Sequence, residues 1–152
     1  MLFFRMPTMA IRTCLAVLLI LLIPAAAQSK PVLPAFTEED AVRILDNLSQ
    51  ALEANDPDGL LKAFDRDQMP NYDSFRDQIF NFFVAYPEFL THYHLRQVAM
   101  EENRALMLTD FELQERSPQG QPVRKQAQLR FLLRWNGKQW KIVDLNPRAF
   151  FS

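Results

Sequence analysis

His92 and His94 flank Tyr93, so on a strand both imidazoles would project from one face, the beginning of a metal site or of a general base. Two ligands are not three, no His-Glu-x-x-His pattern occurs, and neither a metal nor any other cofactor is expected. Asp144 ends the alternating run Trp140-Lys-Ile-Val-Asp144. A carboxylate there either reaches a cavity mouth as an acid or base, or meets solvent or a cation such as Arg148. In the first case His94 is the candidate general base, oriented by Asp110 or Asp144, and Tyr86 the candidate donor to a developing oxyanion. The simpler reading gives Tyr72, Tyr86 and Tyr93 apolar roles with their hydroxyls at a rim. No Gly-x-Ser-x-Gly elbow frames a serine nucleophile. The three glycines, Gly59, Gly120 and Gly137, stand too far apart to cradle a phosphate.

The elements that must position these groups follow from periodicity. Thr37 is placed to cap a helix whose first turn, Glu38-Glu39-Asp40, complements the helix dipole. Ala41, Ile44, Leu45, Leu48, Ala51 and Leu52 recur at spacings of three and four, which predicts an amphipathic helix of about 18 residues. Asn55-Asp56-Pro57 ends it and starts a short second helix carrying Leu60, Leu61 and Phe64. A third begins around Asn71 to Asp73, carries Phe75, Ile79, Phe82, Phe83 and Tyr86, and stops at Pro87. From about His92 the apolar period shortens to two, through Ala105, Met107, Thr109, Phe111 and Leu113 and again through Val123, Ala127, Leu129, Phe131, Leu133 and Trp135.

Closing a two-residue type I′ turn at Asn136-Gly137 predicts Leu133 opposite Trp140, Phe131 opposite Ile142 and Leu129 opposite Asp144, all on one face. Three N-terminal helices packed on one side of a curved antiparallel sheet of about four strands make an α+β architecture. Phe82, Phe111, Phe131, Trp140 and Ile142 are the candidate lining of an apolar pocket inside it, although core packing is the default for each. On the opposite face Arg130, Arg134 and Lys141 form a basic stripe among Leu132, Val143 and Leu145. Long cations covering aliphatic area suit a sheet surface that pairs with a second subunit.

Residues 1–27 read as a removable address: Arg5 and Arg12, then the apolar run over residues 14–23, then Pro24 and Ala25-Ala26-Ala27 form a signal peptide. The run of about ten residues is shorter than the roughly 20 that cross a bilayer, so membrane contact is expected only before cleavage. The expected location is periplasmic or secreted. Residues 28–35, with Pro31 and Pro34, form an extended leader, and residues 36–152 one domain. The single cysteine, Cys14, leaves with the address segment, so neither disulfides nor thiol chemistry contribute. The formal charge of −1 falls to −3 without Arg5 and Arg12, which argues against a nucleic-acid partner.

A long amphipathic helix, the short helix at Asn55-Asp56-Pro57-Asp58-Gly59-Leu60-Leu61, a third helix, and a final hairpin Trp135-Asn136-Gly137-Lys138-Gln139-Trp140-Lys141-Ile142-Val143-Asp144-Leu145 resemble the nuclear transport factor 2-like (SnoaL-like, cystatin-like) superfamily over residues 36–152. The resemblance implies a cone-shaped α+β barrel with an apolar cavity at its open end, often in a homodimer packed sheet to sheet. It implies no single function, because members include ketosteroid isomerases, dehydratases, cyclases and proteins that only bind or bridge. The tyrosine and protonated aspartate of the isomerases cannot be matched to elements of this chain. The leading expectation is an exported domain that binds a small apolar molecule or a protein partner without catalysis. The alternatives are an acid–base enzyme of the cyclase, dehydratase or isomerase type, and a scaffolding homodimer.

Overall fold

A computed structural model describes residues 32–152. The signal peptide and the first half of the leader expected from the sequence lie outside these residues. The elements, in chain order, are α1 (Glu38–Glu53), α2 (Pro57–Leu61), α3 (Tyr72–Ala85), β1 (Glu88–Glu101), β2 (Arg104–Arg116), β3 (Pro122–Trp135), β4 (Trp140–Asn146) and a closing 3-10 turn, η1 (Arg148–Phe151). Three helices pack against a curved, unclosed four-stranded sheet, antiparallel throughout in the order β1-β2-β3-β4. The architecture is the α+β arrangement that the sequence predicts. Among the described residues no helix is long and apolar enough to cross a membrane.

Local chemistry sets each helix. The Thr37 hydroxyl accepts the Asp40 N–H at 3.1 Å while the Asp40 carboxylate accepts the Thr37 N–H at 3.0 Å, a reciprocal cap that satisfies two otherwise orphaned donors. Helix α1 then buries Ala41, Leu45, Leu48, Ala51 and Leu52 along one stripe and ends where Asn55 takes a left-handed φ of 55°. Asp56 caps α2 through the Gly59 N–H at 2.8 Å, with Pro57 in the first turn where no N–H is needed. Gly59 has to be glycine for this cap, since a Cβ there would come 2.1 Å from the Asp56 carboxylate. After α2 the chain runs beside β4. The Asp65 N–H donates to the Ile142 carbonyl at 2.8 Å and the Ile142 N–H to the Ala63 carbonyl at 2.9 Å, which covers part of that sheet edge.

Two polar ties fix α1 on the sheet. Glu53 accepts from the backbone and hydroxyl of Thr91 at 3.0 and 2.7 Å, and Asp46 accepts the Tyr93 hydroxyl at 2.5 Å. Between helices and sheet lies a core in which Ala105, Met107, Phe111, Leu113, Leu129, Phe131 and Leu133 are shut off from solvent. Each large side chain buried here contributes about 1.5–3 kcal/mol.

Three features depart from the sequence expectations. Strand β1 begins at Glu88, four residues before the expected start near His92, because Phe89 and Thr91 already alternate into the core. The β3–β4 connection spans Asn136 to Gln139, so Trp135 pairs with Trp140 and Leu133 with Ile142. Asn136 does not take the positive φ that a type I′ turn requires. Its side-chain oxygen instead accepts the Lys138 and Gln139 N–H groups at 3.0 and 2.9 Å, building the longer turn. Finally, η1 was not foreseen: Phe150 and Phe151 turn back into the core, Phe150 against Phe111 and Phe151 against Phe82, with ring centroids 5.9 and 5.7 Å apart.

Candidate functional site

Asp144 corrects the derived register most sharply. A bulge separates Leu132 and Leu133, so Ile142 faces Leu133 but Asp144 faces Leu132, with Val143 the extra residue. One added residue flips everything beyond it to the other face. Asp144 therefore leaves the core side, while Leu145, expected outside, becomes a buried partner of Phe131. Val143 is buried as well, so neither residue belongs to an exposed stripe. The Asp144 carboxylate accepts from the Arg148 guanidinium and the Leu145 N–H at 2.8 and 2.9 Å, the pairing with Arg148 that the sequence offered as the simpler reading.

His94 lies on the outward face of β1, opposite Asp110 of β2. His92 stands likewise opposite Glu112, so the two imidazoles do share a face, as extended backbone requires. Both carboxylates are already committed. Arg96 holds Asp110 at 2.5 Å and Arg124 holds Glu112 at 2.7 Å, and these hydrogen bonds draw each carboxyl below its ordinary range. Gln128 and Gln114 add weaker bonds at 3.3 and 3.2 Å. Among the described residues no group of three His, Cys, Asp or Glu stands close enough together to hold a metal ion.

Tyr86 follows the end of α3, on the inner side. There Lys125 sets its ammonium 5.2 Å from the Phe82 ring centre and 5.5 Å from that of Tyr86, donates to the Ser152 carbonyl, and lies 3.7 Å from Glu115. The Glu115 side chain has no exposure and accepts no hydrogen bond among the described residues, and its burial pushes its pKa up against the opposing pull of Lys125. Neither residue was singled out from the sequence. The available signal was a glutamate at an inward position of the Thr109-Phe111-Leu113 alternation. Asp144, His94 and Tyr86 thus sit at separate places: the outward side of β4, the outward side of β1, and the inner end of α3.

The expected pocket residues divide in the same way. Phe82, Phe111, Phe131 and Ile142 are at most 2% exposed and pack into the core, where Phe89, Phe150 and Phe151 fill the space around Phe82 and Phe111. Trp140 alone borders a described cleft. That cleft, about 700 Å³, lies between α1, α2 and the start of β4, with Asn47, Gln50, Lys62 and Lys141 on its walls. A neighbouring cleft of about 260 Å³ carries Arg43, Trp135 and Lys138. The Gln78 amide closes the core at its other end by donating to the Arg148 and Phe151 carbonyls at 2.7 and 3.0 Å, which holds η1 in place.

No family model and no curated protein matches the sequence, whereas many solved structures match the fold. A nuclear transport factor 2-like superfamily protein from Salmonella enterica is 10% identical, with a TM-score of 0.61 over 71% of this chain and 87% of its own. The beta subunit of benzoate 1,2-dioxygenase from Burkholderia mallei is 15% identical, with a TM-score of 0.57 over 74% and 89% of the two chains. A nuclear transport factor 2-like protein of unknown function from Shewanella oneidensis is 13% identical, with a TM-score of 0.56 over 71% and 95%. At these identities the likeness concerns the fold: this chain has the nuclear transport factor 2-like fold.

Proposed function

We propose that this protein is an exported, non-catalytic interaction module that works through its surfaces, as a homodimer joined by the outward face of its sheet. The filled interior carries this reading. The space where the fold class keeps a ligand or reactive centre is taken by Phe82, Phe111, Phe150 and Phe151, and the candidate acid, base and hydroxyl sit at separate places in the fold. A small apolar ligand in the cone would first have to displace η1. Export rests on residues 1–27 of the sequence.

The outward face supports the pairing. Register places Ala99, Leu106, Leu132 and Asp144 in one row and Gln97, Leu108, Arg130 and Asn146 in the next, an aliphatic centre only partly screened from water. Toward one end lie the Asp110–Arg96 and Glu112–Arg124 pairs, and toward the other Arg104 and Arg134. A two-fold axis through Leu108 and Leu132 packs the leucines of two copies together, while the arginine stems cover them. Native mass spectrometry of protein recovered from the exported fraction tests the proposal: a dimer carrying no retained small molecule is expected, and a monomer holding an apolar ligand would refute it.

A further inference from the structure

We infer a second binding surface: the groove along the outward flank of α1 takes an extended, acidic peptide segment of another protein. The two clefts near α1 share Ile44, Asn47, Gln139 and Trp140 and so run together from α2 to the β3–β4 turn. Its charge is predominantly positive. Lys62, Lys138 and Lys141 form no ion pair with a carboxylate among the described residues, although the whole chain is net negative. Of the two carboxylates on its walls, Asp40 is paired with Arg43, while Asp56 accepts the Gly59 N–H and keeps its charge, so three lysines face one uncompensated carboxylate. The potential left over is positive and attracts an anionic partner.

The remaining polar groups favour a peptide over a bare polyanion. Asn47 and Gln50, three residues apart, present side-chain amides on one exposed side of α1, and Gln139 faces them from the hairpin turn. Among the described residues these amides bond to no protein group, and each offers both a donor and an acceptor, the complement of a main-chain peptide unit. Trp140 is 7% exposed. Its ring borders both parts of the groove. An indole at a groove wall offers apolar ring surface together with an N–H donor suited to a peptide carbonyl.

The chain has two tryptophans, Trp135 and Trp140, and both line this groove, so intrinsic emission reports its occupancy directly. The experiment titrates the full chain with a short peptide alternating glutamate and alanine, with its glutamine counterpart, and with an oligouronate that carries carboxylates but no peptide units. The glutamate peptide should change the emission saturably, and the other two should bind about tenfold or more weakly. The double variant Lys62→Glu, Lys138→Glu, at two exposed positions, should lose the response while melting as the parent does. Asn47→Ala with Gln50→Ala should weaken the glutamate peptide and leave the oligouronate unchanged. No saturable change, equal affinity for the oligouronate, or full affinity in the lysine variant would each overturn the inference. Leu132→Glu, on the sheet's outward face, should leave peptide binding intact, which separates this site from the dimer surface.

Discussion

The Glu115 carboxylate lies 3.7 Å from the Lys125 ammonium with no exposure to water, and neither of its oxygens accepts a hydrogen bond among the described residues. An ion pair at that distance offsets only part of the cost of taking a carboxylate out of water. Burial dominates, and the pKa of Glu115 is raised.

A raised folded-state pKa means that the native protein holds this proton to higher pH than the unfolded chain does. The stability associated with it is fully present below the unfolded value, about 4.3, and is lost as pH rises through the folded value. Glu115→Gln removes the ionisation while keeping the shape. Its melting temperature should match that of the parent near pH 4 and exceed it near pH 7. A variant that melts below the parent at neutral pH would mean that the charged pair stabilises the fold.

Phe151→Ala tests whether η1 is part of the core. Phe151 is 2% exposed against Phe82, so truncation should cost about 3–5 kcal/mol in urea unfolding. It should also open a void at the end of the cone that takes up an apolar dye which the parent excludes. A cost below about 1 kcal/mol with no dye uptake would show that the turn merely rests on the surface.

Much of this arrangement was legible in the sequence, and the failures have specific causes. Helix caps and stripes were readable because Thr37, Asp56 and Pro57 act on their immediate neighbours. Strand alternation was readable wherever one face is buried, as from Ala105 to Leu113. The final hairpin misled because Asn136 spends its side chain on the turn instead of adopting a positive φ, and because a bulge at Val143 leaves no mark in residue type. The two effects act differently on faces. The turn shifts register by two and keeps Trp140 and Ile142 inside, while the bulge shifts it by one and sends Asp144 out. The role of Phe150 and Phe151 escaped notice because four residues are too few to show a period.

Tyr93 provides a spectroscopic check on the seat of α1. Burial, followed by its hydrogen bond to Asp46, pushes its hydroxyl from an ordinary value near 10 up to about 12. An ultraviolet titration should show a tyrosine ionisation step near pH 12, and Tyr93→Phe should abolish that step. The same substitution should cost about 1 kcal/mol, since the bond is charge-assisted but partly open to solvent. A titration that is the same in parent and Tyr93→Phe above about pH 11 would contradict the contact between α1 and β1.

The surface-module account stands or falls on the outward face of the sheet. Light scattering across a dilution series should give twice the chain mass for the parent at micromolar concentration. It should give the single-chain mass for Leu132→Glu, with unfolding of the separated variant still cooperative. A parent that stays at the single-chain mass throughout, or a Leu132→Glu variant that stays paired, would contradict it.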